Sequence, residues 1–298
     1  MRAVVRKEYA VASMKEQFPD LEVLTEDADG EILVCEPNLC SREYLEKMPS
    51  LRWIQVPRSG YDALDLDYVQ RHGIKLTTGR GLYSIPIAED IICKILMYTN
   101  TVLPCLQRQR GHDYRRNTDR FLIQNLTIGF FGTGSIACEA AKRLAPFGCR
   151  ITGHKRRPVD HLEGFDTLYY GDDFDRFVQD CDVLVLTADL NPSTFHKFDA
   201  SVFAMMKPSA AIINVSRGPV ICEPDLIEAL QNHEIAFAGL DVFEQEPLEQ
   251  DSPLWDMDNV VVTAHSAGTC KENHDAFNQL LVTNVTRYLN GEDLVNQI

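Results

Sequence analysis

Short apolar runs alternate with helical patterns along the whole chain, and the alternation comes in two series. The first series predicts strands over 3–5, 21–24, 32–34, 51–56 and 74–77. Between them, helices are predicted over 11–18, stopped by Pro19, over 41–48, capped by Ser41 with Pro49 beyond, and over 64–71, broken by Gly73. Ile87, Ile91, Ile92, Ile95, Leu96 and Leu103 then recur at helical spacing, so one long helix is expected from Pro86 to about Arg110. That helix and the polar stretch 112–120 read as the bridge to a second domain. The second series predicts strands at 127–131, 150–152, 183–187, 211–214, 236–241 and 260–263. A helix over 223–231 has Pro224 in its first turn, and a long amphipathic helix is expected over 271–290. Strands alternating with helices imply α/β architecture, with parallel sheets covered on both faces.

The stretch TIGFFGTGSIA, Thr127 to Ala137, heads the second series. Strand, glycine turn and helix follow one another, which is the context a dinucleotide-binding G-x-G-x-x-G requires. Gly132 permits the turn, and Gly134 lets the backbone approach a pyrophosphate. Ser135 and Ile136 open the helix whose N-terminus would face that charge. Ala137 stands in place of the third glycine. Taken alone the motif is also compatible with an ordinary strand-to-helix turn.

In open α/β sheets the ligand lies beyond the carboxyl ends of the strands, so polar residues there weigh most. Four groups qualify. His154, Lys155, Arg156 and Arg157 follow the second strand of the series, and Lys155 lies 155 − 134 = 21 residues past Gly134, where an NAD site carries an acid. Cations there suit a 2′-phosphate instead, so NADP is expected, with NAD possible. Arg217 in Asn214–Gly218 is always charged and suits a substrate carboxylate and a ketone oxygen. Glu246 in DVFEQEP and His265 in AHSAG follow the next two strands. An imidazole held by a carboxylate is favoured in its protonated form and ready to give a proton.

Composition narrows the classes. The chain has 298 residues, 45% of them hydrophobic, enough for two cored domains. A net charge of −15 speaks against nucleic acid or an anionic membrane as partner. No uncharged apolar run approaches the roughly 20 residues that span a bilayer, and MRAVVRKEYAVASMKEQF is too polar for a secretory h-region. Nine cysteines without a C-x-x-C pair suit reduced thiols in the cytoplasm, and no metal site is expected.

GTGSIA, NVSRG, DVFEQEP and AHSAG, in that order, resemble the D-isomer-specific 2-hydroxyacid dehydrogenase family. The family pattern is a glycine-rich turn, N-x-x-R-G, D-V-x-x-x-E-P and P-H-x-A-G. The resemblance covers nearly the whole chain and is strongest from Leu126 to Gly268. Ala264 departs from it at the proline before the histidine. The resemblance implies a Rossmann-type cofactor domain, 98–271, inserted into a flavodoxin-like α/β substrate domain, 1–97 and 272–298. It implies that Arg217, Glu246 and His265 are catalytic, and that the cofactor also meets Pro192 in the LNPST turn, Val215, Arg217, Asp241 and His265. Asp241 would position the nicotinamide amide. RSGYDALDL, residues 58–66, looks like the substrate-carboxylate loop, with Arg58, Ser59, Gly60 and Arg80 as substrate residues beside Arg217. GLYSIPIAE, residues 81–89, looks like the entry to the bridging helix. Expected partners are a small 2-keto or 2-hydroxy acid and a second copy in a homodimer. Two other activities fit the same fold: a dinucleotide-sensing corepressor, and a formate- or phosphite-type dehydrogenase.

Overall fold

The computed structural model describes residues 1–61 and 63–298. The chain forms two compact units, Met1–Tyr83 with Thr269–Ile298, and Ser84–Gly268. In order, the elements are β1 (Arg2–Val5), α1 (Glu8–Gln17), β2 (Glu22–Leu24), β3 (Ile32–Val34), α2 (Arg42–Leu45), β4 (Trp53–Gln55), α3 (Leu66–Arg71) and β5 (Lys75–Thr77). Two helices follow, α4 (Ser84–Thr99) and α5 (Val102–Arg110). Then come β6 (Thr127–Phe131), α6 (Ser135–Leu144), β7 (Arg150–Lys155), β8 (Thr167–Tyr170), α7 (Phe174–Asp180), β9 (Val183–Leu186), α8 (Ala200–Phe203) and β10 (Ala211–Asn214). The chain closes with α9 (Glu223–Gln231), β11 (Phe237–Leu240), β12 (Val260–Val262) and α10 (Asn273–Asn290).

The first unit is a parallel sheet in the order β2-β1-β3-β4-β5, the flavodoxin-like order. α10 returns to this unit and buries Phe277, Leu281 and Val285 against Ala3, Val5, Met14 and Trp53. Polar contacts fix its register. Buried Asn284 donates to Gln55 Oε1 at 2.9 Å and to the Val295 carbonyl at 3.1 Å, and it accepts from the Val295 N–H at 2.7 Å. The terminal segment then pairs Gln297 antiparallel to Thr77 at the β5 edge.

The second unit is inserted within the first. Its parallel sheet runs β12-β11-β10-β9-β6-β7-β8, so the strand order reverses between β6 and β9. That switch point opens at the carboxyl ends of both strands, where α/β sheets bind ligands. Every residue of β9, β10 and β11 is buried, as expected for parallel strands covered on both faces.

The expected single helix 86–110 is two helices. Thr101 takes a left-handed φ of +48° between them. α4 buries Ala88, Ile91 and Ile95, whereas α5 has no fully buried residue and only Leu103 packs on the same core, so little packing carries the helical register past Asn100. Those α4 residues share a core with Ala137, Ala140, Ala141 and Leu144 of α6. That packing puts α4 in the second unit, so the boundary falls at 83/84 and not at 97/98; the return falls at 268/269. No helix among the described residues is long and apolar enough to cross a membrane.

Replacing Asn284 by Ala removes a partner of the half-buried Val295 amide and carbonyl and of Gln55 Oε1, at about 0.5–1.5 kcal/mol for each hydrogen bond lost. The urea midpoint read from the first unit's buried Trp53 is expected to fall accordingly; an unchanged midpoint would refute this role for Asn284.

Candidate active site

The glycine turn sits at the switch point. Gly132 has a φ of +94°, and a side chain there would come within 2.7 Å of the Ala188 backbone. Gly134 is the reverse case: nothing lies within 4 Å of the position a Cβ would take. As N-cap of α6 it offers no side-chain acceptor to the first turn's N–H groups. Thr133 Oγ1 is buried beside them with no hydrogen-bond partner. Open space, uncapped amides and an orphaned hydroxyl fit the pyrophosphate of a dinucleotide. Ser135 accepts a hydrogen bond from Ser84 at 3.0 Å, Ile136 packs on the core, and Ala137 is fully buried.

The four basic residues divide. His154 and Lys155 are the last residues of β7, which runs three residues past its expected end at 152. The His154 ring stacks on Phe131 and meets Phe174 edge-on, and its Nε2 lies 3.3 Å from the Gly171 carbonyl. Burial pushes its pKa down. The His154 ring is thus packed among aromatic side chains, and the fixed positive charge at this strand end comes from Lys155, Arg156 and Arg157. Lys155 is half-buried, and Arg156 and Arg157 are exposed beyond the strand. Pro192 lies exposed in a turn in which the Asn191 amide donates to Thr194 Oγ1 at 2.8 Å.

Arg217, Glu246 and His265 follow β10, β11 and β12, which are neighbours in the sheet. His265 Nδ1 lies 2.7 Å from Glu246 Oε2, and Glu246 Oε1 accepts from the Phe243 N–H at 3.2 Å. Both side chains keep substantial exposure, 46% and 37%, so the pair is open to a ligand. The Arg217 loop is braced by buried Asn214, whose Oδ1 accepts from the Ser216 N–H at 3.0 Å and whose Nδ2 donates to the Arg217 carbonyl at 3.0 Å. Val215 is buried beneath it.

Asp241 has a structural part besides the expected one. It is 3% exposed, and its carboxylate accepts from the Ser266 and Ala267 N–H groups at 2.9 and 3.0 Å. Its carbonyl accepts from the His265 N–H at 2.8 Å. Asp241 therefore shapes the His265 loop. Oδ2 takes one of these bonds and keeps a lone pair for a further donor.

Two features carry no sequence signal that spacing would show. Glu244 Oε1 accepts from the Glu223 N–H and lies 2.9 Å from His196 Nε2. Cys222 completes a group whose donor atoms lie within 4.8 Å of one another. In the first unit, Arg58 Nε donates to Glu36 Oε2 at 2.9 Å, and Lys7 binds the other oxygen of that carboxylate. Glu36 lies 22 residues from Arg58, so only the fold joins them. Ser59 and Arg80 are exposed and Gly60 half-buried; Asp62 of the same loop lies outside the described residues.

Gly218 ties the arginine loop to the glutamate loop, since a Cβ on it would stand 1.8 Å from the Phe243 carbonyl group. Gly218→Ala must push the Phe243–Glu246 segment aside. Overpacking of this kind costs about 1–3 kcal/mol, so a lower denaturation midpoint is expected, and a wild-type midpoint would contradict the close approach.

Comparison with known proteins agrees with this geometry. Residues 92–267 match the family model for the D-isomer specific 2-hydroxyacid dehydrogenase NAD binding domain. The chain is 35% identical over 258 residues to glyoxylate/hydroxypyruvate reductase B of Shigella boydii, covering 83% of this chain and 78% of that one. A D-isomer specific 2-hydroxyacid dehydrogenase family protein from Aeromonas salmonicida superposes with a TM-score of 0.86 at 29% identity, over 100% of this chain and 97% of that one. The D-isomer specific 2-hydroxyacid dehydrogenase of Xanthobacter autotrophicus, solved with NADPH and MES, gives 0.84 at 27% identity over the same shares. With the glycine turn, the arginine loop and the Glu246–His265 pair in place, the chain belongs to the D-isomer specific 2-hydroxyacid dehydrogenase family, a family of NAD(P)-dependent oxidoreductases.

Proposed function

We propose that the protein is an NADP-preferring reductase of small 2-keto acids, of the glyoxylate or hydroxypyruvate type or somewhat longer. The observation that carries the reading is the 2.7 Å contact between His265 Nδ1 and Glu246 Oε2 at a strand end beside the Arg217 loop. Hydride transfer is the chemistry that a nicotinamide dinucleotide supplies when bound at the glycine turn. The chain's own residues do the rest. Nδ1–H of His265 donates to Glu246, which leaves Nε2 to deliver a proton to the developing alkoxide. The carboxylate fixes the tautomer and stabilises the imidazolium. Arg217 grips the substrate carboxylate and polarises the ketone. In the oxidising direction, neutral His265 takes the hydroxyl proton.

Lys155, Arg156 and Arg157 support the preference for a 2′-phosphate, without His154. The spare lone pair of Asp241 Oδ2 suits the nicotinamide amide, and the LNPST turn at Pro192 suits the adenosine side. In the first unit, the backbone N–H groups of Ser59 and Gly60 and the Arg80 side chain are the substrate candidates, and Arg58 is the weaker one because Glu36 holds it. All nine cysteines are free thiols, in keeping with a cytoplasmic enzyme, and the family resemblance supports a homodimer.

A panel of 2-keto acids assayed with NADPH and NADH in parallel tests the reading. Turnover with at least one acid is expected, with the higher kcat/KM for NADPH. Charged hydrogen bonds contribute about 1.5–3 kcal/mol, so replacing Arg156 and Arg157 by Ser should lower kcat/KM for NADPH by about ten- to a hundredfold and leave NADH unaffected. Tight cofactor binding with no turnover on any acid would point to a dinucleotide sensor and overturn the proposal.

A further inference from the structure

His265 holds a left-handed backbone, with φ of +47°. That conformation is disfavoured for a side chain of this size and persists only where its surroundings over-determine it. The surroundings here are Asp241, which accepts from the N–H groups of three successive residues, His265, Ser266 and Ala267. Asp241 is almost wholly buried. Buried charges are as a rule paired, and a buried carboxylate that organises backbone amides gains from a cation nearby.

The structure places one there, on a different element. Lys94 of α4 is 1% exposed. Its stem lies over β11 at Gly239, where a Cβ would come within 2.8 Å of Lys94 Cδ. Only the absence of a side chain at 239 gives the lysine this path. Its Nζ is held by Asp90, one turn earlier on α4, and reaches Thr263 Oγ1 at 3.1 Å. Thr263 Oγ1 in turn lies 2.5 Å from Asp241 Oδ1. An ammonium can only donate, and a hydroxyl has one proton. So Thr263 accepts from Lys94 and must donate onward to Asp241. The polarity of the chain is fixed from the ammonium to the loop that carries the imidazole.

We infer that Lys94 is a positioning residue for His265, acting through Thr263 and Asp241 to hold the loop in its strained, productive conformation. The inference rests on the reading of His265 as proton donor. It gives α4 a part in the chemistry that its apolar periodicity does not announce. The spacing of Asp90 and Lys94, one helical turn apart on a helix that packs into the core, is the sequence signal.

The test uses the whole protein and three variants. Thr263→Val breaks the relay but leaves the Asp90–Lys94 pair in place, so it guards against a Lys94→Met variant that fails to fold. Thr263→Ser restores the hydroxyl. Hydrogen exchange at the Ser266 and Ala267 amides reads the loop without any turnover. Thr263→Val and Lys94→Met should speed that exchange by about tenfold or more. They should also lower kcat by at least about tenfold through misplacement of the imidazole. Thr263→Ser should recover both protection and kcat. Wild-type protection in Thr263→Val, or wild-type kcat in it, would overturn the inference. Inactivity of the unaltered protein on every 2-keto acid would bear on the proposed function instead, and the exchange result would still decide whether Lys94 holds the loop.

Discussion

The hydrogen bond between His265 and Glu246 joins the loops that leave two adjacent strands, β11 and β12. To make it, two loops leaving adjacent strands must each present one side chain at a fixed height above the sheet. The glutamate is held because its other oxygen is taken up by the Phe243 amide. That amide is in place because Gly218 lets the arginine loop lie directly against the Phe243 backbone. The histidine is held because Asp241 collects the amides around it. Three neighbouring strands are thereby locked to one another at their carboxyl ends, and the chemistry uses the result.

The same sheet keeps binding and reaction apart along its length. The glycine turn after β6 offers uncapped amides and open space, which suit an anion. The exposed cations Arg156 and Arg157 lie beyond β7, at the neighbouring strand end. His265 stands on the opposite half of the sheet, after β12. The glycine turn, the exposed cations and the Glu246–His265 pair thus stand at different strand ends of one sheet. His154, the last residue but one of β7, packs its ring against Phe131 and Phe174, and burial pushes its pKa down.

Much of this was legible in the sequence, and the exceptions share a cause. Strands β3 and β10 and helix α9 stand where their patterns put them, because a buried apolar run between turn signals has few other solutions. β8 was not legible, since an edge strand that is only half-buried reads as TLYY with no clean alternation. The break between α4 and α5 was hidden because apolar spacing carries on into a helix with no fully buried residue. Motif order identified Arg217, Glu246 and His265. It could not show that Arg58 pairs with Glu36, or that Lys94 reaches Thr263 across 169 residues. Contacts between residues so far apart in sequence leave no local pattern.

The most direct measurement is the rate of cofactor oxidation with a 2-keto acid in His265→Ala, with cofactor binding titrated in the same preparation. Loss of a general acid lowers the rate by about 10²–10⁴-fold, and the account expects a fall of that order while the cofactor still binds. A rate near that of the unaltered protein would contradict it.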